Sequence, residues 1–353
     1  MHLFPIYIRQ GRNARKFKTG YIDQTGQTIV PPVYDYGQPF YNGFASVQLG
    51  DLWGTIDTKG ELVIIPKFSR SLTFTAGLSE FSIPGDRRGL IDTKGNVVVP
   101  PRYGYVTHFS NGLACFRDKT LYEAKSLYGF LDTKGNQVIP PFFEDARPFS
   151  EGLAAVKMNG KWGYIHPDGS IAIAMQFVCE RGMAGPFRQG RGRVAKDGKW
   201  GHIDAQGQFI TPPIYDMALE FSEGLAPIEI KKLRGFVNLA GDLAIPANYE
   251  NVDSFSCGLA RAKVPATKPR DPKKLPHNVG FLDTKGNFAI SPAFFSAGRF
   301  RHGLCLVETQ RTIAYIALTG EFVWSSPVVA IGNFDPHHLL PPEICVRATT
   351  ALS

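Results

Sequence analysis

Cysteine is scarce in this chain and badly placed for chemistry: five residues in 353, Cys115, Cys179, Cys257, Cys305 and Cys345, at wide and unequal spacings. Without a CxxC pair or a Cys/His cluster, neither a zinc site nor a disulfide framework has support, and the reduced thiols of a cytoplasmic protein are expected. Long apolar runs are missing as well. The first residues offer only LFPIYI, with no basic segment ahead of it, so a secretion signal is not expected. No stretch approaches the roughly 20 apolar residues of a membrane span.

Catalytic spacings are equally absent. No HExxH, GxSxG or Walker pattern surrounds His302 or His337-His338, which read as surface and tail histidines. Cys115, Cys257 and Cys305 fall in or beside a G-L-A segment where small core residues are expected, and none has a paired base in sequence. A helical reading head for DNA is lacking. The expectation is a protein that is not an enzyme and needs no cofactor or metal.

What the chain has instead is repetition. TGYIDQTG ends at Gly26, WGTIDTKG at Gly60, RGLIDTKG at Gly95, YGFLDTKG at Gly135, WGYIHPDG at Gly169, WGHIDAQG at Gly207, RGFVNLAG at Gly241, VGFLDTKG at Gly286 and a decayed IAYIALTG at Gly320. Their first glycines are Gly20, Gly54, Gly89, Gly129, Gly163, Gly201, Gly235 and Gly280, then Ala314, at steps of 34, 35, 40, 34, 38, 34, 45 and 34 residues. The parent unit is therefore 34 residues. An aromatic follows the closing glycine by eight residues in eight copies, from Tyr34 to Phe294, usually behind one or two prolines. A Phe-x-x-Gly anchor comes next, from Phe40 with Gly43 to Phe300 with Gly303.

Turn dipeptides between short apolar runs are hairpin signals. In the fifth copy LAAVKM passes through Asn159-Gly160 into KWGYI, and Pro167-Asp168-Gly169 leads on into SIAIA. Each unit thus reads as a three-stranded antiparallel meander, with strands A, B and C. In the D-T-K-G turn between B and C, Asp accepts backbone N–H bonds and the closing Gly takes a positive φ. That role suits Asp23, Asp57, Asp92, Asp132, Asp204 and Asp283 better than a calcium or acid/base site. Prolines after strand C are expected to end the sheet there. The glycine of strand B, beside an invariably aliphatic residue two positions on, makes a notch that a loop aromatic is expected to fill.

One 34-residue unit cannot bury enough apolar surface to offset its chain entropy, so neighbours must complete each core. Nine such units occupy residues 1–327, with residues 328–353 as a C-terminal capping segment or tail. The fold class is all-β, and the favoured arrangement is an open, superhelical, solenoid-like array. A closed β-propeller-like ring is the alternative, disfavoured because propeller blades usually have four strands.

The string W-G-[Y/F]-[I/L]-D-x-x-G followed by P-P-x-[Y/F] and F-x-[E/N]-G-L-A resembles the bacterial WG (KWG) repeat family over roughly residues 5–327. The resemblance implies a repeat scaffold and supplies no catalytic residues. The signature Trp is kept only at Trp53, Trp162 and Trp200. Because their place tolerates Arg and Thr elsewhere, these three are expected to be partly exposed.

Length varies mainly in the A to B hairpin, which puts the variation on one side of the array. The N-terminal hairpin carries Arg9, Arg12, Arg15, Lys16 and Lys18, and the insertion at 263–278 carries Lys263, Lys268, Arg270, Lys273 and Lys274 against one Asp271. With a net charge of +8, a basic patch formed there would attract an acidic partner. The functional expectation is a monomeric, cytoplasmic scaffold for protein–protein interaction, bound through the hairpin side and concave surface. The candidate contacts are Arg9, Arg12, Arg15, Lys16, Lys268, Arg270, Lys273, Lys274, Trp53, Trp162 and Trp200. Two alternatives are a glycan or envelope-polymer binder using the aromatics, and a nucleic-acid or anionic-ligand binder using the basic hairpins.

Overall fold

The computed structural model describes residues 2–9, 17–83, 87–118, 127–179, 182–265, 278–309 and 312–327. The expected tail at 328–353 lies outside them. The described residues contain strands and turns and no helix, arranged as nine small antiparallel sheets in which consecutive strands pair. The chain divides into two compact units, Met1–Gly190 with Ala205–Gly207, and Arg191–Asp204 with Gln208–Ser353. The first five sheets lie in the first unit and the last three in the second.

The expected strands A, B and C are present in every copy, as in Phe44–Leu49, Leu52–Asp57 and Leu62–Phe68. Most sheets also hold a fourth strand of two residues, such as Tyr36–Gly37, Tyr105–Val106 or Met217–Ala218, which pairs with the strand A that follows it. Two residues carry no readable period, which is why the sequence shows three strands. A four-stranded antiparallel meander is the blade of a β-propeller, so the sheets correct the expectation of a solenoid-like array toward the propeller-like alternative.

The prolines do not end the sheet. Strand C runs through them, as in Thr28–Tyr34, and it tolerates them because it is the last strand of its sheet and pairs on one side only. The pairing Thr19↔Tyr34 followed by Tyr21↔Val30 shows a bulge opposite Gly20, with Pro31-Pro32 inside it. The same shift recurs in the fourth sheet between Tyr128↔Phe143 and Phe130↔Ile139.

That bulge is what fills the glycine notch. A Cβ on Gly129 would stand 2.5 Å from the Ile139 carbonyl oxygen, and one on Gly20 would stand 2.5 Å from that of Val30. Backbone, rather than the loop aromatic expected from sequence, occupies the space. In the ninth copy Ala314 pairs with Ser325 in unbroken register alongside Tyr315↔Trp324, and no bulge faces it.

The aliphatic two residues beyond the glycine is fully buried in all nine copies, from Ile22 to Ile316. Around it, cores are shared between successive sheets: Tyr21, Val30 and Tyr34 pack with Ala45, Val47 and Ile56, and Leu90, Val99 and Tyr103 pack with Ala114, Phe116 and Leu131. The second unit repeats the pattern, with Phe236 and Ile245 against Ala260, Ala262 and Leu282. The D-T-K-G turn contributes to this stacking. Gly60, at φ 86°, leaves room for Val30 of the preceding sheet, whose Cγ2 would lie 2.7 Å from a Cβ there.

The turn capping follows the expected pattern. Asp57 Oδ1 accepts the N–H groups of Lys59 at 2.9 Å and Glu61 at 3.0 Å, and Asn238 replaces Asp without loss, accepting from Ala240 and Asp242. The Asn96 and Asn136 side chains, together with the turn N–H groups, hold the Asp92 and Asp132 carboxyls below the usual range, and the Asn287 N–H does so for Asp283. The Phe-x-x-Gly string is a hairpin turn. Asn42 and Gly43 sit at φ 48° and 85° between the reciprocal bonds of Tyr41 and Phe44, which is a type I′ geometry.

The F-S-E-G form of this string also ties one sheet to the next. Ser150 Oγ donates to the Phe187 carbonyl at 2.7 Å, and Ser222 Oγ donates to that of Phe255 at 2.8 Å. Glu151 accepts the N–H groups of Gln189 and Gly190 at 2.7 and 2.8 Å.

Candidate functional site

Antiparallel geometry puts the type I′ and D-T-K-G turns at one end of each sheet and the A to B hairpins at the other. At the hairpin end, four residues line up across the strands. In the second sheet they are Tyr36, Gln48, Trp53 and Phe68. In the fourth they are Tyr105, Arg117, Tyr128 and Phe143, and in the fifth Asp145, Lys157, Trp162 and Phe177. In the second unit the seventh sheet presents Met217, Glu229, Arg234 and Tyr249. The last residue of each row is the constant Phe or Tyr, whereas the other three vary in charge and shape.

The signature Trp position therefore belongs to this row. Trp53 is half-buried, with its ring edge-on to Tyr36 at 5.6 Å. Trp162 and Trp200 are buried, which corrects the expectation of exposure. Each lies under a guanidinium: Arg147 is 5.9 Å from the Trp162 ring and Arg193 is 4.6 Å from the Trp200 ring. Arg88, which replaces Trp in the third copy, stands 5.4 Å from the Tyr105 ring and 2.8 Å from Glu80. Burial raises the Glu80 carboxyl against the pull of Arg88.

In the first unit these rows join into an arginine and tyrosine surface. The Tyr105 and Tyr128 rings are 6.5 Å apart, and Arg117 lies between them in the pairing. Arg147 is held by Asp145 at 3.4 Å, whereas among the described residues Arg117 has no ion pair and its buried Nε has no hydrogen-bond partner. Arg117 thus shares its row with two aromatic residues, and a guanidinium in such a row suits a carboxylate partner.

Arg9 closes the first strand; its side chain lies outside the described residues, as do Arg12, Arg15, Lys16, Lys268, Arg270, Lys273 and Lys274. The strands that lead to the largest insertion are closed by Val264 N–H on the Asn278 carbonyl at 2.9 Å and by Asn278 Nδ2 on the Val264 carbonyl at 2.7 Å. Sequence reasoning missed Tyr36, Tyr105, Arg117 and Arg147. For Tyr36 and Tyr105 the only available signal was the place two residues beyond the constant aromatic, which holds no constant type, and Arg117 and Arg147 stand elsewhere in the repeat.

Groups that could have carried chemistry serve the fold. Burial pushes the Cys115 and Cys305 thiols far up, away from the reactive thiolate. His202 takes the aromatic place of strand B. Its Nε2 bonds the Leu219 carbonyl at 2.8 Å, its Nδ1 bonds Thr211 Oγ1 at 2.7 Å, and its ring packs edge-on against Phe221. Burial lowers its pKa to about 4. Among the described residues no cluster of His, Cys, Asp and Glu could hold a metal ion, and no helix is long and apolar enough to cross a membrane.

The profile described as "WG containing repeat" matches eight times, at residues 20–53, 53–83, 89–119, 128–162, 162–200, 200–233, 235–264 and 280–310. No curated protein sequence matches the chain. Among solved structures, a eukaryotic initiation factor is similar over 80% of this chain and 85% of its own, with 12% identity and a TM-score of 0.57. The computationally designed Ika8 protein is similar over 81% and 93% at 11% identity, and BamB from Moraxella catarrhalis over 75% and 94% at 9% identity, both with a TM-score of 0.45.

Proposed function

Because the chain belongs to the family of WG-containing repeat proteins, we propose that it is a non-enzymatic, β-propeller-like scaffold that binds a partner protein at the hairpin ends of its sheets. The observation that carries this reading is the division of labour within each repeat. Residues that pack the core or close the turns hardly change from copy to copy, while the cross-strand row at the hairpin end changes freely and gathers Trp53, Arg88, Tyr105, Arg117 and Tyr128 in one unit, with Arg147 over Trp162 beside them. Arginine and aromatic residues are the types that dominate binding energy at protein interfaces. The chain's net charge of +8 and the arginines in these rows favour an acidic segment on the partner.

Affinity capture with the whole chain, followed by binding of the captured protein in purified form, tests the reading. An Arg117→Ala and Tyr128→Ala double variant should retain its fold and lose at least about tenfold in affinity, the scale of one interface hot spot. Equal affinity for wild type and variant would move the interface elsewhere.

A further inference from the structure

Seven of the eight copies that oppose a strand B glycine guard their last strand with proline. At the two positions inside the bulge stand Pro31-Pro32, Ile65-Pro66, Pro100-Pro101, Pro140-Pro141, Pro212-Pro213, Pro246-Ala247 and Ser291-Pro292. The fifth copy has Ala174-Met175 instead. Its strand, Ile171–Phe177, is the terminal strand of its sheet and keeps the same bulged register, Trp162↔Phe177 followed by Tyr164↔Ile173. Since copies with two prolines form that register without either N–H, strand B does not need the N–H groups of Ala174 and Met175.

The fifth sheet therefore ends in a strand that has two additional donors, no proline and no charge from Ser170 to Cys179. Edge strands are normally blunted by proline, charge or coverage, because an unpaired edge templates another strand. This one is open: Ile171 is 62% exposed, Ala174 and Gln176 are exposed, and Val178 follows at 43%. The following loop is also the one that lengthens the Gly163 to Phe187 interval to 24 residues, where the seven other copies have 20.

We propose that the edge of the fifth sheet, Ile171–Phe177, is a strand-addition site that accepts an extended, uncharged segment of a protein partner. Main-chain bonds to the exposed edge would supply affinity, and the exposed Ile171 and Ala174 side chains would favour small apolar residues on the incoming strand. The site's donors, at Ala174 and Met175, lie outside the cross-strand row of the hairpin end, and its test does not depend on that row.

The other repeats supply the control. Ala174→Pro with Met175→Pro recreates the pair found in four sibling copies, so the variant should fold. The probe is a fluorescein-labelled, end-blocked heptapeptide of alternating Thr and Val, titrated against the full chain by fluorescence anisotropy. Wild type should bind it saturably and show slowed amide hydrogen exchange at Ala174 and Met175. The double proline variant should lose at least tenfold in affinity with unchanged circular dichroism, and a probe with a central proline should not bind. If the proline pair disturbs folding, Ala174→Lys, which blunts the edge with a charge, should give the same loss. Absence of saturable binding to wild type, or equal binding to the variants, overturns the proposal. A wild-type dimer that the double variant abolishes also overturns it, by assigning the edge to a second copy of the chain.

Discussion

The eighth and ninth copies are adjacent, lie in the same compact unit and differ at one informative place. The eighth has Gly280 opposite a bulged strand containing Pro292, and a Cβ there would approach the Ile290 carbonyl oxygen to 2.6 Å. The ninth has Ala314 opposite Ser325, in a ladder that stays in register past it. The glycine that gives the repeat its signature is thus a response to the neighbouring strand. Where the bulge is absent, the position accepts a methyl group. By contrast, the closing glycine persists in the ninth copy, because Gly320 still turns at φ 87°.

That contrast can be broken by substitution. The largest effect is expected from Gly129→Ala, where the methyl would meet the Ile139 carbonyl and strand C would have to leave its bulge. Overpacking against rigid backbone should cost about 3 to 4 kcal/mol, read as a lower urea midpoint. A loss below about 1 kcal/mol would mean that the bulge yields easily.

Acid comes next, through His202. Its folded pKa of about 4 lies below the ordinary histidine value of 6.5, so the unfolded chain takes up the proton first. Stability is unaffected above about pH 6.5 and falls as the pH drops from there toward 4, by about 3 kcal/mol in all. His202→Phe, which copies Phe236 and Phe281 at the same place, should flatten that part of the profile. An unchanged profile would assign the acid sensitivity to other groups.

Glu151→Ala removes a carboxylate that accepts two N–H groups of the next turn and should cost about 1.5 kcal/mol, the low end for hydrogen bonds to a charged group because the site is exposed. Denaturant unfolding of the variant would measure it. The smallest effect is expected for Asp57→Asn, because Asn238 already closes the equivalent turn with the same two bonds. Its thermal midpoint should match that of wild type.

Much of this molecule was legible in its sequence because the signals came in several copies. The strand B aliphatics, the capping Asp and the closing glycine each serve one local requirement, and repetition separated them from the background. Features that depend on pairing were not legible. The two-residue strand at Tyr36–Gly37 has no period of its own, and the notch beside Gly20 looked like a place for a ring until the register put Pro31-Pro32 there. Trp162 and Trp200 were misjudged because a position that tolerates Arg reads as exposed. The structure instead covers each indole with an arginine from the same neighbourhood. Arg117 and Tyr105 became candidates only once the pairing had placed them side by side.

Urea unfolding of Gly280→Ala and Ala314→Gly, measured side by side, tests most directly whether the strand B glycine answers to the bulge. Gly280→Ala should lose about 3 kcal/mol or more to the clash, while Ala314→Gly should lose under about 1 kcal/mol, the entropic cost of glycine in a strand. Equal losses at the two positions would contradict the account, because the glycine would then owe nothing to the strand it faces.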